Sequence, residues 1–151
     1  MTTKLYILPF REKARLHQRA YRAQQRDHSE VCGVLLTADE RKLQLYFLPN
    51  RSERCAAWLL HGTDIVAARR EARSLGLRVV GTFHSHPFTE PVPGERDLAS
   101  IWRGSMQLIY DVCGRAARLW TVASQNGQIV PRELCLSIEP KSAGQSQRPA
   151  E

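Results

Sequence analysis

Two spacings of apolar residues recur along the chain and separate predicted strands from predicted helices. Apolar and β-branched runs bounded by turn residues predict strands at 4–9, 30–37, 42–48, 77–86, 106–112, 116–122 and 133–138. Helix-forming residues predict helices at 11–26 and 63–75 and a short helix at 97–102. The strands and helices do not alternate regularly, so the pattern predicts an α+β fold of the sandwich type, with a mixed β-sheet flanked by helices.

Turn and capping residues mark the boundaries of these elements. Residues 38–41 join two predicted strands as a hairpin, and the Asn-Gly pair at 126–127 is a strong signal for a tight turn. Thr63 is the predicted N-cap of the second helix, and Gly76 suits its C-terminal end. The segment 87–93 holds three prolines and predicts a loop after the fourth strand.

The chain of 151 residues is long enough for one domain with a single core, which we assign to residues 1–139. Its hydrophobic content of 42% and charged content of 25% are typical of a globular protein. The polar segment 140–151 lacks aromatic residues and is predicted to be disordered. No apolar run reaches the roughly 20 residues of a membrane span, and the N-terminus has no signal-peptide pattern. We therefore expect a cytoplasmic protein without membrane contact.

The four cysteines are scattered along the chain and form no C-x-x-C pair. This spacing favours neither a disulfide framework nor a zinc knuckle. We therefore expect buried thiols at Cys32, Cys55, Cys113 and Cys135.

The net charge of +7 is concentrated in the first predicted helix. Its basic residues are Arg11, Lys13, Arg15, Arg19, Arg22 and Arg26, and they surround apolar residues at Ala14, Leu16, Ala20, Tyr21 and Ala23. We favour the solvated face of an amphipathic helix as the explanation. The alternative is a surface for an acidic partner or for nucleic acid, but no nucleic-acid-binding motif supports it.

The densest chemistry lies in the string H-S-H-P at 84–87, with Asp97 following eleven residues after His86. Side chains alternate across a strand, so His84 and His86 share one face with Thr82. Two imidazoles and one carboxylate leave a fourth metal position open, which is how catalytic zinc is held. We therefore predict that His84, His86 and Asp97 bind one zinc ion per chain.

Together with a glutamate upstream, these residues resemble the JAMM motif of the JAB/MPN metalloprotease family. That motif consists of Glu, a long gap, H-S-H-P, a short loop and P-S-x-x-D. This chain has Glu30, H-S-H-P at 84–87 and P-G-E-R-D at 93–97. The resemblance covers residues 4–123 and departs at Gly94, where the family has serine. It implies a JAB/MPN-like fold, a curved sheet with a helix on either side, in a compact prokaryotic-type member.

The resemblance also implies roles for two residues outside the ligand set. Glu30 would be the general base, which holds the attacking water and carries its proton to the leaving amine. The family's serine helps to hold that water or the developing oxyanion, and Gly94 has no hydroxyl for this task. Glycine is a tolerated N-cap, so we expect the metal site to persist while the rate falls on the order of 10²–10³-fold. Thr89 and Ser100 are candidate substitutes, whereas Ser85 lies on the opposite strand face.

The function implied by the resemblance is that of a zinc-dependent metallopeptidase or isopeptidase. Its substrate would be the C-terminal tail of a ubiquitin-like β-grasp protein or a sulfur-carrier protein. The alternative is a metal-stabilised MPN-fold binding module with little or no catalysis; Gly94 favours this alternative, and Glu30 opposes it. A zinc deaminase is excluded because its H-x-E and P-C-x-x-C signature is missing from the sequence. A non-haem iron oxygenase also uses two histidines and one carboxylate, but it leaves Glu30 without a task.

Overall fold

The computed structural model describes residues 3–141, so nearly all of the predicted disordered tail lies outside the described residues. Seven strands occur in the described part of the chain: β1 (Leu5–Leu8), β2 (Cys32–Thr37), β3 (Gln44–Leu48), β4 (Arg78–His86), β5 (Met106–Asp111), β6 (Ala116–Gln125) and β7 (Gln128–Ile138). Three helices accompany them: α1 (Phe10–Asp27), α2 (Gly62–Ser74) and α3 (Glu95–Ser100). None of these helices is long and apolar enough to cross a membrane.

All seven strands belong to one sheet with the order β1-β7-β6-β5-β4-β2-β3. The β1–β7 and β4–β5 pairs are parallel and the other pairs are antiparallel, so the predicted mixed sheet is confirmed. The sheet curls until its two edges meet. The Ile7 amide donates to the Arg41 carbonyl at 2.8 Å, and the Leu43 amide donates to the Ile7 carbonyl at 2.8 Å.

The two long helices cover opposite faces of this sheet, as the resemblance implied. Leu35 on β2 belongs to the core beneath α1, whereas its neighbours Val34 and Leu36 belong to the core beneath α2. We call these two sides the α1 face and the α2 face. The larger core lies on the α1 face and includes Leu8, Leu16, Ala20, Phe83, Leu108, Tyr110 and Leu119. The smaller core uses Ala68 and Ala72 of α2.

The strand that follows Glu30 begins two residues later than predicted, at Cys32. Just before the start of β2, the Ser85 amide still donates to the Val31 carbonyl at 3.0 Å, as in the regular ladder. The return bond, however, runs from the Val31 amide to the Ser85 hydroxyl at 2.9 Å. A side chain replaces the backbone acceptor, so the ladder ends while β2 and β4 stay side by side.

Two other boundaries differ from the prediction. The predicted N-cap at Thr63 is wrong, because α2 begins at Gly62 with His61 as its N-cap, and the Ile65 amide donates to the His61 carbonyl. Strands β6 and β7 run up to the turn at 126–127, where both residues have positive φ, as a tight hairpin requires. Pro131 lies within β7 but pairs with Val122 in a part of the strand that β1 does not cover. Its missing N–H therefore costs little.

The expectation of four buried thiols is wrong for three of them. All four cysteines are unpaired, but Cys55, Cys113 and Cys135 are exposed and Cys32 alone is buried. Cys55 and Cys113 lie in connections, and Cys135 lies in β7 outside the two cores. The basic helix has the predicted amphipathic arrangement, with Leu16 and Ala20 buried and its arginines in solvent.

Candidate metal centre and active site

The cluster forms where β4 ends and α3 begins. β4 carries His84 and His86 on the α2 face, and His86 is its last residue. Phe83 packs into the core beneath α1, and because side chains alternate along a strand, the two histidines point to the other face. Asp97 is the third residue of α3, and Gly94 is the N-cap of that helix. The Gly94 amide donates to Asp97 Oδ2 at 3.0 Å, so the start of the helix itself orients the carboxylate.

The three predicted ligands converge as the sequence analysis expected. His84 Nε2 lies 3.1 Å from His86 Nε2 and 3.2 Å from Asp97 Oδ1, and His86 Nε2 lies 3.2 Å from Asp97 Oδ2. All three residues are buried. Ligand atoms about 2.0–2.2 Å from a tetrahedral zinc ion are themselves roughly 3.3 Å apart. The two Nε2 atoms are at this spacing, and each of them lies at it from a different oxygen of Asp97. One ligand atom from each residue lies within 4.8 Å of the others, so the three side chains can share one metal ion.

The hydrogen-bonding capacity of His86 also favours a cation. Its Nδ1 lies 2.7 Å from the Glu90 carbonyl, which can only accept, so Nδ1 carries a proton. In the neutral ring Nε2 is then an acceptor that faces a second acceptor, Asp97 Oδ2. Only a proton or a metal ion between them removes this repulsion. The Glu90 contact leaves Nε2 as the free ligand atom, which is the usual arrangement of a metal-binding histidine.

The pKa shifts of the metal-free cluster agree with one cationic position, filled by a proton or a metal ion, between His86 and Asp97. Burial lowers the pKa of His84, so its ring is neutral as a ligand must be. Burial also disfavours charge on His86, but its hydrogen bonds to Asp97 and the Glu90 carbonyl outweigh that effect and raise its pKa. Burial alone would raise the pKa of Asp97. The hydrogen bonds from His84 and His86 reverse this and hold it well below its usual range, so Asp97 is a carboxylate.

Glu30 lies beside the cluster, two residues before the start of β2, the strand next to β4. Cys32 pairs with His84 across the antiparallel ladder, and the bonds between Val31 and Ser85 extend this register. Glu30 therefore comes level with His86. Its Oε2 is buried without a hydrogen-bond partner among residues 3–141. Burial raises the pKa of Glu30 to about 7, the charge of His86 opposes this rise, and the charge of Asp97 adds to it.

The structure accommodates the missing hydroxyl at Gly94 without strain. Gly94 has extended backbone, and an added Cβ would meet Asp97 Oδ2 at 3.8 Å, an ordinary contact. Of the candidate substitutes, Thr89 lines the same groove, and the Ser100 hydroxyl donates to the Asp97 carbonyl at 2.8 Å. Ser85 is fully buried and is the acceptor for the Val31 amide, so it takes no part in the site, as predicted.

A groove of about 1400 Å³ passes the cluster. Glu30, His86 and Asp97 open onto it, whereas His84 is fully buried behind them. Four of the large apolar side chains that are exposed in the described part of the chain also line this groove: Leu59, Phe88, Val92 and Trp102. An extended peptide with apolar side chains suits such walls.

Sequence reasoning missed two residues of the site, Trp58 and Asn50. Trp58 Nε1 donates to Asp97 Oδ1 at 3.0 Å, and its ring stacks on His84 with a centroid distance of 4.7 Å. The Asn50 amide donates to the Glu30 carbonyl at 2.9 Å. Both residues belong to an irregular connection without periodicity. The available signals were a tryptophan within the short apolar run 56–60 of this connection and an asparagine directly after Pro49.

The fold and the cluster define a mixed-sheet domain with a candidate metal centre of two histidines and one aspartate. A family model described as prokaryotic homologs of the JAB domain matches residues 13–125. The chain therefore belongs to this family, and the resemblance stated from the sequence is confirmed.

Two relatives and two solved structures extend this comparison. The desampylase of Pyrococcus furiosus is 28% identical over 99 residues, which cover 66% of this chain and 62% of that protein, less than two thirds of its length. The desampylase of Haloferax volcanii is 34% identical over 99 residues, which cover 62% of this chain and 70% of that protein.

Among solved structures, a protein from Desulfitobacterium hafniense has a TM-score of 0.72 at 18% identity, covering 93% of this chain and 97% of that one. A structure described as "JAMM: A Metalloprotease-like Zinc Site in the Proteasome and Signalosome" has a TM-score of 0.50 at 19% identity. It covers 89% of this chain and 99% of that one. At these identities the two structures establish the fold alone.

Proposed function

We propose that this chain is a zinc-dependent metallopeptidase or isopeptidase of JAMM type, with His84, His86 and Asp97 as zinc ligands and Glu30 as general base. The observation that carries the proposal is the buried triangle of ligand atoms with an unpartnered carboxylate beside it. The two desampylase relatives support the same reaction class. A zinc ion in this site would polarise the scissile carbonyl and acidify the attacking water.

Glu30 would move the proton during the reaction. A carboxylate at this position can take a proton from water and return it to the leaving amine. In the metal-free protein, burial holds the pKa of Glu30 above its usual range. Oε2 is free to accept that proton because it has no partner in the described part of the chain. Because the side chains of the cluster are buried, the interactions of Glu30 with a developing charge are stronger there than in bulk water.

We propose a ubiquitin-like β-grasp protein or a sulfur-carrier protein as the substrate, cleaved near its C-terminal tail. The desampylase relatives support this class of substrate, and the apolar groove suits an extended tail. An extended tail that ends in small residues could bring its scissile bond close to the buried cluster, because small side chains leave room for the backbone.

The test is the cleavage of a fusion in which a β-grasp protein ending in Gly-Gly precedes a reporter protein. Zinc-loaded wild type should cut after Gly-Gly. Glu30→Gln should retain its zinc and lose activity by about 10²–10⁴-fold. If Glu30→Gln cleaves as fast as wild type, or loses its metal, the role of Glu30 is wrong.

Gly94 favours a second candidate function, a metal-stabilised binding module with little turnover. The family's serine hydroxyl is missing at this position, and the atom that an added Cβ would meet within 4 Å is Asp97 Oδ2, not a hydroxyl. Failure of the zinc-loaded protein to cleave several Gly-Gly fusions, combined with measurable binding of the same proteins, would establish this alternative.

A further inference from the structure

We propose that Trp58 is a positioning residue of the metal centre, which holds the Asp97 carboxylate and the His84 ring in their ligand orientations. This inference rests on the proposed function, since it assumes that these residues bind zinc. Trp58 lies in the connection between β3 and α2. This connection supplies neither a proposed zinc ligand nor the proposed general base.

Trp58 contacts two of the three proposed ligands at once. Its Nε1 donates to Asp97 Oδ1 at 3.0 Å. Its ring lies over the His84 ring with centroids 4.7 Å apart and an angle of 14° between the planes. Such a nearly parallel stack restricts rotation of a histidine ring whose Nδ1 has no hydrogen-bond partner among residues 3–141.

The indole completes a symmetrical set of contacts around the Asp97 carboxylate. Oδ1 accepts from Trp58 and lies 3.2 Å from His84 Nε2. Oδ2 accepts from the Gly94 amide at 3.0 Å and lies 3.2 Å from His86 Nε2. One donor on each oxygen fixes the plane of the carboxylate, and the two donors come from separate segments of the chain.

The backbone around Trp58 is anchored, so the indole can act as a fixed support. Asn50 Nδ2 donates to the Ala57 carbonyl at 2.9 Å, and Asn50 Oδ1 accepts from the Leu59 amide at 3.1 Å. The same Nδ2 donates to the Glu30 carbonyl at 2.9 Å. One asparagine side chain therefore ties the segment that carries Trp58 to the segment that carries the general base.

The size of the effect follows from the known behaviour of such supporting contacts. Removal of a hydrogen bond to a metal ligand commonly weakens metal affinity by about 10–100-fold. Trp58→Phe removes the N–H donor but keeps an aromatic ring over His84, so it isolates the contribution of the hydrogen bond. Trp102→Phe is the matched control, because Trp102 lines the same groove and has neither contact.

The experiment measures zinc and cobalt binding to the full chain, without substrate. Competition with a chelator should show that Trp58→Phe binds zinc about tenfold or more weakly than wild type, whereas Trp102→Phe stays within about twofold of wild type. Cobalt should quench the fluorescence of wild type and of Trp102→Phe, and most of this quenching should be lost in Trp58→Phe. The cobalt absorption bands of Trp58→Phe should also change, because the geometry of the ligand set relaxes.

The outcomes separate this inference from the proposed function. Wild-type zinc affinity and an unchanged cobalt spectrum in Trp58→Phe would overturn the role of Trp58 while leaving the zinc site intact. Failure of the wild type itself to bind zinc would contradict both. Thermal unfolding of the metal-free proteins checks the fold: equal midpoints for Trp58→Phe and wild type support a positioning role. A large drop for the metal-free variant, with the affinity loss explained by unfolding, would overturn it.

Discussion

The α1 face and the α2 face of the sheet bury different kinds of side chain. Beneath α1 the buried core is mostly apolar, with Phe83 and Leu108 among its largest side chains, and Ser85 is a fully buried polar exception whose hydroxyl accepts from the Val31 amide. On the α2 face β4 buries Thr82, His84 and His86, and Gln107 of β5 donates to the Thr82 hydroxyl at 3.3 Å. Apolar burial stabilises the fold in proportion to its area, whereas buried polar groups cost free energy unless they are paired.

The comparison suggests that stability and chemistry are divided between the two faces of one strand. β4 directs Phe83 into the apolar core and His84 into the site. Substitutions on the α1 face should therefore act on unfolding, and substitutions on the α2 face should act on metal binding and turnover.

The largest effect on stability should come from Phe83→Ala. Phe83 is fully buried and packs edge-on against the Phe47 ring. We expect a loss of about 3–5 kcal/mol in the free energy of unfolding. Thr82→Ser, on the opposite face of the same strand, removes one methyl group and should cost about 1 kcal/mol. Denaturant unfolding of both variants measures the difference, and equal losses would break the division between the faces.

The histidine pair was predictable because its spacing encodes its geometry, and the resemblance to the JAMM motif added Asp97 and Glu30. An H-x-H pair on a strand fixes a shared face, and Asp97 in the first turn of a helix could be anticipated from P-G-E-R-D. The Asn-Gly turn at 126–127 was predicted for the same reason, since its backbone conformation is specific to those residues.

The supporting residues were not predictable from local pattern. Trp58 reaches Asp97 across 39 positions of sequence, and Asn50 reaches Glu30 across 20. Such contacts depend on how the connection between β3 and α2 folds over the sheet. The exposure of three cysteines was missed for a related reason, because composition does not reveal which side of an element faces solvent.

A second prediction concerns how the buried Glu30 carboxylate lowers the free energy of unfolding of the metal-free protein. Burial raises its pKa to about 7 in the folded chain, against an unfolded value of 4.5. The neutral acid therefore stabilises the folded state below pH 4.5, and this contribution is lost as the pH rises through 7. Relative to wild type, Glu30→Gln should gain stability between these pH values, on the order of 3 kcal/mol at pH 8.

Denaturant unfolding of chelator-treated wild type and Glu30→Gln across pH 4–8 tests this prediction. With zinc present the difference should shrink, because a nearby cation favours the carboxylate. Parallel stability curves for the two metal-free proteins would mean that Glu30 titrates alike in the folded and unfolded chains.

The smallest expected effect on turnover is that of Gly94→Ser, which restores the family's hydroxyl. The backbone accepts serine, since the nearest neighbour of an added Cβ is Asp97 Oδ2 at 3.8 Å. A new hydrogen bond to a developing charge should raise kcat by roughly tenfold, or about 1.4 kcal/mol. KM should change little, because the contact forms mainly in the transition state. The test measures kcat and KM of wild type and Gly94→Ser on a β-grasp fusion at equal zinc occupancy. An unchanged kcat would indicate that another donor, such as Thr89, already fills this place.

The central claim is that His84, His86 and Asp97 together hold one zinc ion. The most direct measurement is elemental analysis of wild type and His86→Ala, both purified without chelator. His86 supplies one of three ligand atoms, and its removal leaves the Asp97 carboxylate facing a vacant position. We predict close to one zinc per chain in wild type and almost none in His86→Ala. Equal metal contents in the two proteins would contradict the claim.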